Sequence, residues 1–126
     1  MSIELDSKHR IDATKNLGRL KNLKANDNKA GFNELLYQIL FPVRKYVEHE
    51  IQVAEMNKVI PKSDYQATEL MDDLLIKTFD SIEDIDVQQH LLSWLFQQAD
   101  IMLNDLYVEE EFNAFFNKNI DDLSQL

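Results

Sequence analysis

Between Ala67 and Ile82 the apolar residues recur with the period of an α-helix, and this constrains the chain more than any other stretch. At about 100° per residue, Ala67, Leu70, Met71, Leu74, Leu75, Thr78, Phe79 and Ile82 share one broad face. Glu69, Asp72, Asp73 and Asp80 gather on the opposite face, with Ile76 in their midst. The apolar face predicts a core helix. Ile76 has no core left to enter on its own side. It is either a scattered surface residue, which is common, or a small anchor inside an acidic protein-binding surface.

The rest of the chain reads as further helices around this one. Only two glycines and two prolines interrupt 126 residues rich in Leu, Lys, Glu, Asp and Gln, a composition that favours helix throughout. Residues 1–27 form a polar, slightly basic arm or short helix, in which Ile11, Leu17, Leu20 and Leu23 are spaced too loosely for a clear stripe. Asn26, Asp27 and Asn28 make a helix start. Phe32, Leu35, Leu36, Ile39, Leu40, Val43, Tyr46, Val47, Ile51 and Ala54 then keep helical spacing. Pro42 predicts a kink or break near Phe41. A connector over 57–64 leads to Ser63–Gln66, which has capping-box form. Asp86 with Gln89 marks the next start, and Leu91, Leu95, Ala99, Met102 and Leu106 make its buried stripe, flanked by Leu92 and Leu103. Glu109, Glu110 and Glu111 would carry charge onto that stripe, so a break near Val108 is expected. Phe112, Phe115, Phe116 and Ile120 then suggest a last short helix, with a frayed tail over 121–126. The fold expected is a compact all-α bundle of three main helices plus short terminal ones, with one domain over 28–120.

Charge is divided unevenly. Residues 1–77 hold 12 basic and 12 acidic side chains, whereas 78–126 hold Lys118 against 11 acids, which carries the whole net charge of −10. Such a half repels phosphate backbones and attracts basic partners. There is no cysteine for disulfide or thiolate chemistry. No apolar run approaches a membrane span and the start is not a signal peptide, which fits a cytoplasmic protein. His9, His49 and His90 lie in no metal-ligand spacing. Gly18 and Gly31 stand alone, so there is no glycine-rich phosphate loop. The acids of 80–86 lack the spacing of a calcium loop. Asp72 and Asp73 have no converging base. No catalytic residue, cofactor or metal site is expected.

The run Ala67–Phe79, followed by Trp94-Leu95-Phe96 and then Ala99, resembles region 2 of the sigma-70-type sigma factors of bacterial RNA polymerase. That family often has an Ala-Glu-Asp-Leu-Val-Gln-Glu run opening one helix and a Trp-Leu-aromatic run opening the next. The offset of 27 residues from Ala67 to Trp94 agrees with it. Ala67, Leu70, Lys77, Trp94, Leu95 and Ala99 match, and Glu69, Met71, Asp73 and Phe96 are conservative variants. The resemblance covers roughly 32–106, and a proline comparable to Pro42 is frequent in the family.

The resemblance implies a helix face that grips a coiled coil on the polymerase, which carries over onto Glu69, Asp72 and Asp73. It also implies a following helix whose basic and aromatic residues hold promoter DNA. Here this chain departs from the pattern, reading Gln97-Gln98-Ala99-Asp100-Ile101-Met102 where the family is rich in Arg. Trp94, Phe96 and Tyr107 remain candidates for stacking on a base, or are packing residues at the core edge. These 126 residues also hold no promoter-reading helix-turn-helix.

The function expected is a non-enzymatic, sigma-like module binding RNA polymerase or a related transcription protein through Glu69, Asp72, Asp73, Ile76 and Asp80, with DNA contact weakened or lost. The alternative is an acidic adaptor or nucleic-acid mimic, which uses Asp100, Asp105, Glu109, Glu110 and Glu111 to hold a basic protein, ribosome-associated or anti-sigma-like.

Overall fold

A chain so poor in glycine must close its helices with other residues, and two of its helix ends show how. The computed structural model describes residues 16–86 and 90–124, with side chains through Phe115. Helix α1 covers 16–25. It ends where Asp27 takes a left-handed φ of 56°. The Asn28 N–H then reaches the Leu23 carbonyl and the Asp27 N–H reaches that of Lys24. The same pair of bonds closes α3, with Lys58 at φ 60° and the N–H groups of Val59 and Lys58 on the carbonyls of Ala54 and Glu55. Both are Schellman closures built without glycine.

Helix α2 (Lys29–Ile39) starts on Asn28, whose side chain accepts the Gly31 N–H. A Cβ at Gly31 would come within 2.8 Å of the capping side chain, so the glycine makes room for the cap. Leu40 separates α2 from α3 (Phe41–Met56), and Pro42 sits in the first turn of α3. There its missing N–H costs nothing. The break expected near Phe41 is present. Helix α4 (Ala67–Ser81) runs into a 3₁₀ turn over Ile82–Asp84, and α5 spans Leu91–Ser124.

Helices α3, α4 and α5 touch one another pairwise, and α2 packs on both α3 and α4. The result is a compact all-α bundle, with no strand among the described residues. No described helix is long and apolar enough to cross a membrane. The core is continuous, from Phe32, Leu36, Val43 and Val47 through Met71 and Leu74 to Leu91, Leu95 and Ala99. Thr78 is buried with them and donates its hydroxyl to the Leu74 carbonyl. That bond removes the cost of desolvating it. Phe32 meets Phe79 edge to face at 4.9 Å.

Five details differ from the sequence reading. Leu17 and Leu20 are wholly buried, so α1 belongs to the core despite its loose pattern. Two leucines three residues apart suffice once a neighbouring surface receives them. Lys24 of α1 reaches the end of α4, where it donates to the Phe79 carbonyl and pairs with Glu83 at 2.9 Å. The last turn of α4 has no basic residue of its own, so α1 supplies the cation that a helix C-terminus favours. That bridge holds the Glu83 carboxyl below its usual range.

The second difference is Ser63–Gln66, where no capping box forms. Gln66 is the cap residue of α4 and makes no side-chain cap bond, while the Ser63 N–H goes to Glu55. Third, α5 does not break near Val108 and no separate last helix follows. Among the described side chains Leu106 is the last core residue of α5, and Glu109 and Glu111 point into solvent and put no charge into the core. Fourth, Leu103 rather than Met102 is the fully buried residue of its turn. Fifth, the backbone stays helical to Ser124, where fraying was expected from Asp121. The side chains of Phe116 and Ile120, the Gln89 of the start signal, and residues 1–15 and 125–126 lie outside the described residues.

Candidate protein-binding face on α4 and α5

The face of α4 opposite its core residues is open to solvent. Leu70, Met71, Leu74 and Thr78 point inward, and Glu69, Asp72, Asp73 and Asp80 are all exposed on the other side. Ile76 stands among them at 58 % exposure. The five residues fall within about 100° of one another around the helix, so a partner could touch all of them at once. They are near enough to repel each other, and a cation docking there would relieve that repulsion.

Part of this face continues across to α5. A groove of about 330 Å³ between the two helices is lined by Tyr65, Glu69, Leu70, Asp73, Met102, Asp105, Leu106 and Glu109. Its floor is apolar and its rim carries two carboxylates from each helix. The sequence presents the acids of α4 and those of α5 as alternatives. The fold brings Glu69 and Asp73 together with Asp105 and Glu109. A larger open groove of about 510 Å³ lies between α3 and the start of α4. Its charged side chains are already engaged, Arg44 with Glu48 and Glu55 with the Ser63 N–H.

The other acids of α5 divide by their neighbours. Asp100 accepts the Tyr46 hydroxyl and Glu110 accepts that of Tyr65. These bonds tie α5 to α3 and to the connector before α4. Hydrogen bonding to the carboxylate, then burial, pushes each phenol up to about 12 from an ordinary 10.0. A group whose pKa is raised by folding contributes stability that is fully present below its unfolded value. Here it is lost as pH rises from about 10 through about 12. Titration followed by phenolate absorbance should show both phenols ionising near pH 12 in the native protein. Tyr46→Phe and Tyr65→Phe should each remove one of those late steps. Ionisation complete by pH 11 would contradict the two bonds.

Trp94, Phe96 and Tyr107 are all partly buried. Phe96 packs edge to face on Tyr46, with ring centroids 5.5 Å apart. Tyr107 is raised above its usual pKa by burial first, then by Glu50 and Asp100. The three are therefore engaged with the core edge, and anionic neighbours surround Tyr107. Among the described residues no group of three or more His, Asp or Glu side chains is arranged to hold a metal ion. No protein-family model matches the chain, and neither a curated protein nor a solved structure is significantly similar to it.

Proposed function

We propose that the chain is a non-enzymatic helical module of sigma-region-2 type, which binds bacterial RNA polymerase or a related transcription protein through the open face of α4. The observation that carries this reading is Ile76, exposed among four exposed carboxylates on the side of α4 away from the core. An apolar anchor in an acidic rim suits a basic, partly apolar partner surface. The likeness of Ala67–Phe79 and Trp94–Phe96 to sigma region 2 selects the polymerase among such partners. Promoter contact is weakened or lost in this reading, because no Lys or Arg stands between Thr78 and Asn117 to hold a phosphate backbone.

A second reading, an acidic adaptor or nucleic-acid mimic for a basic protein, is favoured by the groove. There Asp105 and Glu109 of α5 add their charge to Glu69 and Asp73. The two readings separate in one experiment. Tagged protein is used to capture partners from native extract at low salt, with subunits identified by mass spectrometry. The first reading expects polymerase subunits, reduced at least about tenfold by Asp72→Lys/Asp73→Lys and little changed by Asp105→Lys/Glu109→Lys. Basic proteins sensitive only to the α5 pair would establish the second reading. Polymerase captured equally by wild type and the α4 variant would exclude the α4 face.

A further inference from the structure

The outer side of α5 carries an apolar row that the α4 face does not use, although its acidic border shares Asp105 and Glu109 with the groove. Ile101, Val108, Phe112 and Phe115 are 48, 57, 64 and 63 % exposed. Their separations of seven, four and three residues align them within about 60° on a helix. The buried residues Leu95, Ala99, Leu103 and Leu106 lie on the far side of the same helix. With Asp105 included, positions 101, 105, 108, 112 and 115 alternate by four and three. That alternation is the spacing of a seam that packs against a second helix. The seam spans roughly 21 Å, about four turns.

Three exposed carboxylates border or interrupt it: Asp105 and Glu109 on one side, Glu111 on the other. From Leu91 to Asn117 α5 has no Lys or Arg. We propose that this stripe docks a basic amphipathic helix of a partner protein. The partner's apolar residues pack on Ile101, Val108, Phe112 and Phe115, and its lysines or arginines meet Asp105, Glu109 and Glu111. Charge selects this occupant over the others. A second copy of the chain would set the same carboxylates against themselves. An anionic lipid surface or a nucleic acid would bring phosphate to an acidic border. An apolar row with acidic edges is completed by an apolar row with basic edges.

The test uses the full chain and two synthetic helices of about 18 residues, one of Leu and Lys and one with Glu in place of Lys. The Leu/Lys helix should bind wild type by fluorescence anisotropy, more weakly as salt rises. The Leu/Glu helix should not bind. Phe112→Ser/Phe115→Ser should weaken Leu/Lys binding at least about tenfold, as should Glu109→Lys/Glu111→Lys. Met56→Ser, at another exposed apolar residue, should leave it unchanged. Circular dichroism should confirm that each variant keeps its helicity. Binding indifferent to the phenylalanine pair would overturn the proposal, as would equal binding of the Leu/Glu helix. It would also fail if sedimentation showed a wild-type dimer that Phe112→Ser/Phe115→Ser dissolves, or if the chain bound anionic vesicles through the same residues.

Discussion

Phe32→Ala should lower the unfolding free energy by about 3–5 kcal/mol, and the melting temperature by roughly 10–20 °C. Phe32 is wholly buried where α2 crosses α4, with its ring edge to face against Phe79. Truncation removes most of an aromatic side chain from a close-packed site and leaves a cavity that its neighbours can only partly fill. The aromatic pair adds about 0.5–1.5 kcal/mol beyond the area it buries. Phe79 also carries the Lys24 and Lys29 ammonium groups over its ring, at 4.8 and 5.4 Å. Loss of Phe32 would free that ring to tilt, and part of the damage would spread to the contact between α1 and α4. Phe112→Ala removes the same atoms from a largely exposed position and should cost far less. Denaturant melts of the two variants measure the contrast directly. A loss below about 1 kcal/mol at Phe32 would mean that this part of the core is not packed as described.

The sequence made α4 legible because one helix carries both halves of the pattern, and each residue's face follows from its number alone. Its inward residues and the exposed Ile76 stand where the period puts them. The break at Pro42 was legible for a similar reason, since its cause is local. What was not legible depends on contacts between helices. The triplet Glu109–Glu111 looked incompatible with a continuing core, yet among the described side chains Leu106 is the last core residue of α5. Glu110 instead takes the Tyr65 hydroxyl across 45 residues of chain. The groove shared by Glu69, Asp73, Asp105 and Glu109 has the same origin. Periodicity gives the face of each helix but not the register between two, so their acids read as rival clusters.

The N-terminal helix offers the largest expected effects and a test in both directions. Leu17→Ala/Leu20→Ala should cost about 4–8 kcal/mol, at about 2–5 for each buried leucine with some loss of additivity between neighbours. A domain of this size has about 5–15 kcal/mol in total, so a large part of its stability would go. Both leucines are wholly buried with the rest of the core, and Lys24 on the same helix bonds to the end of α4. Gly18 lies between them on the exposed side, where an added Cβ would meet nothing within 4 Å. Gly18→Ala should therefore stabilise the protein by roughly 0.5–1 kcal/mol, because alanine loses less backbone freedom in a helix. Thermal melts of the two variants should move in opposite directions. A slightly basic arm, the other form that the sequence alone allowed, would respond to neither. Shifts of opposite sign from positions one and two residues apart require both that 16–25 is helical in solution and that one side of it is core.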